Sequence, residues 1–274
     1  MQLKAIIKKI AKQKKVSAQL ILQNYMLERF LERVSLSLYH KNFIIKGGFL
    51  IASIVGLDSR ATMDMDATIK GYSVNEKTIQ TMIEEIISIS VADNILFHFS
   101  NISLIREGNE YNGYRVALSA NYEYMSVPLK IDITTGDKIT PKEIGYQYKL
   151  MLENRTISVL AYNLPTIFAE KLETVISRGD QNTRPRDYYD IFILSKLQNN
   201  RINWNTLKEA FQATIEKRGS TNVAKQYKTI LEVVRNNETM KRQWNDYRKE
   251  FDYASKIQFE ETCDVVIMIM DKLL

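Results

Sequence analysis

The stretch TMDMD at residues 62–66 places Asp64 and Asp66 one residue apart, inside a run that continues through Ala67 and Ile69. Aspartate disfavours strands, yet the run alternates as a strand does. In an extended chain the side chains at i and i+2 share a face, so the two carboxylates stand side by side. Two close like charges repel unless a cation lies between them, and a divalent metal is the usual one. Upstream, Lys46, Gly47 and Gly48 close one apolar run and open another. Paired glycines there let the backbone turn sharply and aim N–H groups at an anion from a helix start, so KGG is a candidate nucleotide-phosphate site. Downstream, VPLKIDITTGD (127–137) offers Asp132, with Leu129, Ile131 and Ile133 on one face and Lys130, Asp132 and Thr134 on the other. Three acids can bracket two metal ions, one activating a hydroxyl and the other clamping phosphates. Asp137, beside Gly136, reads as a turn residue and is left outside the candidate site.

These residues need a scaffold, and the chain supplies one in two parts. Residues 3–39 carry helical periodicity: Ile6, Ile7 and Ile10 form a short stripe, and Leu20, Met26, Leu27, Phe30, Leu31, Val34 and Leu38 a longer one, with Ser17 as its N-cap. Lys8, Lys9, Lys12, Lys14 and Lys15 crowd the first of these helices, as a solvated face or a phosphate contact. Strand-like runs follow at 42–45, 62–69, 95–105, 114–122, 127–134 and 156–162, with helical stretches at about 48–56 and 75–90. That mixture implies a mixed sheet with helices against it, an α+β or α/β core spanning residues 1–162 with its leading helices. After residue 163 the strands stop. Pro165 and Gly179 bracket one helix, Pro185 opens a second, and four more helical patterns run to Leu274, so residues 163–274 read as a helical bundle.

Composition narrows the function classes. Of 274 residues 45% are hydrophobic and 26% charged, ordinary for a globular chain, and no apolar run approaches the ~20 residues of a membrane span. A single cysteine, Cys263, excludes an internal disulfide framework, and two histidines are too few for a zinc centre. A cytoplasmic protein is the expectation. The net charge of +6 favours a polyanionic partner such as nucleic acid.

Four motifs, in order, carry a resemblance: KGGFLIASIVGLDSRATMDMDATIKG, KIDITTGD, AEKLETVISRG and RPRDYYDIFIL, spanning residues 46–194. The chain resembles the AbiEii/AbiGii toxin family, nucleotidyltransferase toxins of type IV toxin–antitoxin phage-defence systems with a DNA polymerase β-like core. The resemblance implies an α/β nucleotidyltransferase core with a C-terminal helical bundle, NTP as substrate and Mg²⁺ as cofactor. It also implies transfer of NMP to an RNA acceptor, the tRNA 3′ end first, and a cognate antitoxin. By position it gives Gly47 and Gly48 the phosphate turn and Asp64 and Asp66 the metal, with Asp132 as the third acid. It gives Lys171 the nucleotide phosphates, and Asp187 the part of a base or positioning group, with Asp190 a weaker choice. Arg60 would neutralise the acids or a phosphate. The family carries Ser or Thr directly after the two glycines; here Phe49 stands there, and Ser53 lies a full helical turn further on.

Other readings stay open at this point. A D-x-D alone is more often a pair of exposed acids, and a Gly-Gly corner a tight turn. Lys171 could be a solvated helix lysine whose neighbours Phe168, Leu172 and Val175 do the packing, and Asp187 a capping acid near Pro185. Arg184 and Arg186 hold RNA phosphate or pair with acids. Tyr188, Tyr189 and Phe192 fall at helical spacing, as core residues do. The same core could nucleotidylate a protein or a small molecule. A nucleic-acid- or partner-binding protein with a lapsed metal site, and a two-metal nuclease, complete the set.

Overall fold

The structure, a computed structural model, describes residues 3–105 and 113–274. The described residues divide into two compact units: one of those up to 137 together with 143–162, the other of 138–142 and 163–274.

In the first unit, the expected leading helical region is two helices, α1 (Leu3–Lys14) and α2 (Ala18–Leu36). The break falls where Lys15 takes a positive φ of 54°, and Ser17 then caps α2 by accepting from the Leu20 amide at 3.1 Å. Leu38 is not part of the stripe: it lies beyond the Ser37 C-cap and is 87% exposed. Among the described residues the sheet has seven strands: β1 (Phe43–Lys46), β2 (Met65–Ile69), β3 (Leu96–Ile105), β4 (Gly113–Tyr122), β5 (Met125–Thr135), β6 (Ile144–Lys149) and β7 (Thr156–Ala161). Their spatial order is β3-β4-β5-β2-β1-β7-β6, with β2 parallel to β5 and β1 parallel to β7 in an otherwise antiparallel sheet. Strand β6 has no counterpart in the sequence reading; its IGYQYK alternation is short and follows a loop. Helices α3 (Gly47–Val55) and α4 (Glu76–Ser88) complete the unit.

Alternation divides the central strands into two faces. Phe43, Ile45, Met65, Ala67, Ile131, Ile133 and Val116 share one face and are buried. The Phe30 ring of α2 sits edge-on against Phe43 and Phe97 at about 6 Å, closing that face as a hydrophobic core. The opposite face of the same strands carries the polar residues taken up below.

The second unit holds α5 (Leu164–Arg178), α6 (Pro185–Gln198), α7 (Trp204–Lys217), the one-turn α8 (Thr221–Ala224), α9 (Tyr227–Asn236), α10 (Glu238–Glu250) and α11 (Phe259–Leu273). Asn163 caps α5 through the Thr166 amide at 2.8 Å and also holds the 138–142 segment by donating to the Thr140 and Lys142 carbonyls. Phe168, Leu172, Tyr188, Tyr189, Phe211, Trp244 and Cys263 are buried in its core. No described helix is long and apolar enough to cross a membrane.

Candidate active site

The strand register assembles a charged row that no local pattern reveals. Lys46 on β1 is directly opposite Asp66 on β2, Asp66 opposite Asp132 on β5, and Asp132 opposite Arg115 on β4. Directly paired residues share a face, with neighbouring strands about 4.8 Å apart. The polar face therefore reads cation, acid, acid, cation across four strands. Asp64 immediately precedes β2, one alternation before Asp66, and not inside the strand as the sequence suggests. Its backbone position is set from behind. Asn24 on α2 donates to the Thr62 carbonyl at 2.7 Å, and Gln23 donates to the Met63 and Pro128 carbonyls.

The glycine corner abuts this row. Gly47 has φ +63°, and a Cβ built there would stand 2.2 Å from Asp66 Oδ2. Only glycine permits both the backbone angle and that approach. At Gly48 a Cβ would meet Arg60 Nη2 at 3.0 Å and Thr62 Oγ1 at 3.1 Å. Arg60 is buried, with its guanidinium beside the first turn of α3 and Nη1 donating to the Ala61 carbonyl. Lys46, the N-cap residue just before α3, makes no side-chain cap, so the first-turn amides are not claimed by it. Backbone amides, a helix dipole and a guanidinium thus meet two acids at one corner, suited to an anion held beside a cation.

The acids also show the crowding that a cation relieves. Asp64 reaches solvent, yet the surrounding protein strips enough hydration from its carboxylate to raise its pKa. The Lys130 ammonium opposes that shift, Asp132 adds to it, Arg115 opposes it and Asp66 adds to it. Asp132 has a partner that the sequence does not announce. Arg115 grips it in two hydrogen bonds, Nε to Oδ1 at 2.8 Å and Nη2 to Oδ2 at 2.7 Å. As the side chains lie, no three metal-ligating residues stand together among the described residues. The carboxylate set itself fits a hard divalent ion: all oxygen donors, Asp66 and Asp132 in register on adjacent strands and Asp64 just before β2, against a cradle that a single Cβ would fill. Asp64 and Asp66 would hold such an ion, with Asp132 joining when Arg115 releases it.

Lys46 is placed differently from a free phosphate ligand. Its amine pairs with Asp137, and Asp137 Oδ2 also accepts from Thr134 Oγ1 at 2.7 Å and Tyr162 Oη at 2.9 Å. Burial alone would raise this acid's pKa. The Lys46 charge and the hydrogen bonds from Lys46, Thr134 and Tyr162 outweigh it and hold it at about 2. Asp137 is thus not a bare turn residue but the anchor of a buried cation under the first strand. The available signal was a lysine ending the apolar run FIIK, which burial obliges to find an acid.

Phe49 is a core residue: its ring is buried and stacks on Tyr148 of β6, with centroids 5.6 Å apart and planes 5° from parallel. Ser53 donates to the Leu50 carbonyl and shares a hydrogen bond with Tyr146 Oη, so its hydroxyl is engaged in α3 and β6.

In the second unit, Lys171 on α5 meets two acids of α6, Asp187 Oδ1 at 2.6 Å and Asp190 Oδ2 at 2.9 Å. Lys171 is therefore not a solvated lysine. Asp187 lies in the first turn of α6, but its carboxylate turns to Lys171 and makes no N-cap bond. Its Oδ2 is buried with no hydrogen-bond partner among the described residues. Asp190 is fully buried, and Tyr188 and Tyr189 are core residues against Phe259 and Tyr253. Arg184 and Arg186 are exposed.

Comparison with known proteins agrees with this architecture. No curated protein matches the sequence. A candidate nucleotidyltransferase from H. pylori, known from its crystal structure, superposes with a TM-score of 0.52 at 13% identity, over 94% of this chain and 97% of that one. The crystal structure of JHP933 from Helicobacter pylori superposes with a TM-score of 0.51 at 14% identity, over 94% of each. At such identities the likeness is one of fold. The family described as "Nucleotidyl transferase AbiEii toxin, Type IV TA system" matches residues 29–265, most of the chain and parts of both units. The chain accordingly belongs to the AbiEii family of nucleotidyltransferase toxins, enzymes of type IV toxin–antitoxin systems.

Proposed function

We propose that the chain transfers NMP from an NTP to a hydroxyl of RNA, the tRNA 3′ end first, in a Mg²⁺-dependent reaction in the cytoplasm that serves phage defence by abortive infection. The observation that carries the reading is the contact of Gly47 with the Asp66 carboxylate, in register with Asp132. It brings an anion-binding corner and an acid pair to one point. The first-turn amides of α3 and the Arg60 guanidinium would hold triphosphate oxygens, and Asp64, Asp66 and Asp132 would hold the metal. A bound divalent ion supplies charge neutralisation and a more acidic acceptor hydroxyl. The acceptor oxygen attacks the α-phosphorus, the bond to pyrophosphate breaks, and the hydroxyl proton passes to a carboxylate or to solvent. Within the same proposal Lys171 contacts nucleotide phosphate and Asp187 acts as base or positioning group. What supports these roles is the resemblance of AEKL and RPRDYYD to the family's motifs; to reach a phosphate the Lys171 amine would have to leave Asp187 and Asp190, which hold it at 2.6 and 2.9 Å. The antitoxin partner follows from the family.

Purified protein incubated with each α-labelled NTP, Mg²⁺, total RNA and total protein tests the reading. Label in RNA supports it, label in protein alone favours protein nucleotidylation, and shortened RNA points to a nuclease. Asp64→Ala and Asp66→Ala should each abolish both labelling and growth inhibition.

A second reading rests on Phe49 in the core and on Arg115 occupying both oxygens of Asp132. A binding protein whose metal site has lapsed would show both. It requires growth inhibition to survive Asp64→Ala and Asp66→Ala.

A further inference from the structure

The chain's whole charge surplus sits in its first fifteen residues. Lys4, Lys8, Lys9, Lys12, Lys14 and Lys15 are six of the 38 Lys and Arg, and no acid occurs among residues 1–15. The remainder carries 32 cations against 32 acids, so without this segment the net charge of +6 becomes zero. Lys4, Lys8, Lys9, Lys12 and Lys15 are exposed, and none of them makes an ion pair among the described residues. On a helix, Lys4, Lys8 and Lys12 repeat at i, i+4, i+8, a stripe with about 6 Å between successive lysines along the axis.

The position of this stripe is tied to the acid site. Lys14, at the end of α1, pairs with Asp58 at 2.7 Å. Asp58 lies in the loop that runs on through Arg60 and Thr62 to Asp64. The end of the basic helix thus lies beside the segment that delivers the acids. The family match begins at residue 29, so α1 lies outside the part this chain shares with the family description.

We propose that the lysine stripe of α1 is the docking track for the phosphate backbone of the RNA acceptor. The inference rests on the reading of the site as one that acts on RNA. Phosphates are the partner that an unpaired lysine row fits, through attraction and counterion release. A membrane surface fits it less well. An interfacial helix must offer a free apolar face, whereas Leu3, Ile7 and Ala11 of α1 are already buried and the helix has no aromatic residue.

The test compares the full chain with K4Q/K8Q/K9Q/K12Q. Glutamine and lysine have similar helix propensities and the four sites are exposed, so α1 should persist, as circular dichroism checks. Unfractionated tRNA is titrated at several salt concentrations. The slope of log affinity against log salt should fall by about 3, at roughly 0.7–0.9 per lysine removed. Affinity near 0.1 M salt should drop at least tenfold, while ATP binding without RNA stays unchanged. The corresponding four Lys→Arg changes should retain binding. Should the glutamine variant lose its fold, the K8Q/K12Q pair should show about half the change in slope. Equal tRNA affinity and slope in the wild type and the glutamine variant overturn the inference. So does a variant that loses only binding to anionic phospholipid vesicles. If the wild type labels RNA and the glutamine variant labels it equally at limiting RNA, this inference alone fails. If the wild type labels no RNA at all, the reading of the site fails with it.

Discussion

Gly47 and the Asp66 carboxylate are in contact so close that a single methyl group would displace one of them: a Cβ would lie 2.2 Å from Oδ2. Gly47→Ala must also place alanine at φ +63°, a conformation that costs roughly 1–2 kcal/mol for a residue with a Cβ. Displacement of a catalytic group by about 1 Å can cost on the order of 10²-fold in rate. The expected outcome is a folded protein with a lower melting temperature and about 1% of the transfer rate. Near wild-type labelling by Gly47→Ala would mean that Asp66 does not work from its observed position.

In the proposed site Arg115 would compete with the metal for Asp132. Removing its guanidinium in Arg115→Met frees both Asp132 oxygens and leaves the acids less neutralised. Mn²⁺, measured by calorimetry without nucleotide, should then bind more tightly, by about tenfold for an interaction worth about 1.4 kcal/mol. Weaker Mn²⁺ binding would show instead that Arg115 orients Asp132 for the ion.

Phe49 tests whether the family hydroxyl can simply be restored. From the sequence alone, Phe49→Ser is expected to preserve or raise activity. The buried stack on Tyr148 adds a cost that the sequence does not show. Deleting a buried aromatic destabilises by about 3–5 kcal/mol. Chemical denaturation should show that loss for Phe49→Ser, and much less for Phe49→Leu. Activity per folded molecule, assayed at low temperature, isolates the hydroxyl's contribution.

Asp137→Asn should prove more damaging than a turn substitution. It leaves the buried Lys46 ammonium without its counter-charge, which typically costs about 3–5 kcal/mol. Because the folded-state pKa of Asp137 is depressed to about 2, its contribution is present above the usual value of 3.8 and fades as pH falls from there towards 2. Urea midpoints for wild type and variant should converge towards acid pH. A constant gap down to pH 2 would contradict the assignment.

Glu28 should make the fold respond to pH in the opposite sense. It is buried on α2 beside Arg29 and accepts from the Met151 amide at 2.7 Å. Burial is the largest influence on it and, against the Arg29 charge and these hydrogen bonds, raises its pKa from 4.5 to about 7. Between those values the folded chain keeps a proton that the unfolded chain gives up. This contribution to stability is therefore complete below pH 4.5 and declines as pH rises towards 7. Glu28→Gln keeps an acceptor for Met151 and should flatten the decline. An identical pH profile for the variant would remove Glu28 as its cause.

The amino-acid order alone specified a good deal. Period-2 alternation in KIDITT, the D-x-D spacing and the Pro and Gly brackets around α5 are short-range signals, and each reports a local backbone preference. They suffice for a sheet-containing core followed by helices, and for nominating Asp64, Asp66, Asp132 and the Gly47–Gly48 corner. Strand register is a different kind of quantity. Lys46, Asp66, Asp132 and Arg115 lie on four strands drawn from residues 43–135, and which of them stand abreast depends on pairings between distant segments. Nothing in the neighbourhood of Arg115 marks it as the partner of Asp132, or Asp137 as that of Lys46. Phe49 occupies the family's hydroxyl position in sequence, but only the placement of Tyr148 on the unanticipated strand β6 makes it a core residue. Burial and charge pairing are settled when chain segments meet. Local pattern could name the candidate acids, and tertiary packing alone decided what neutralises each of them.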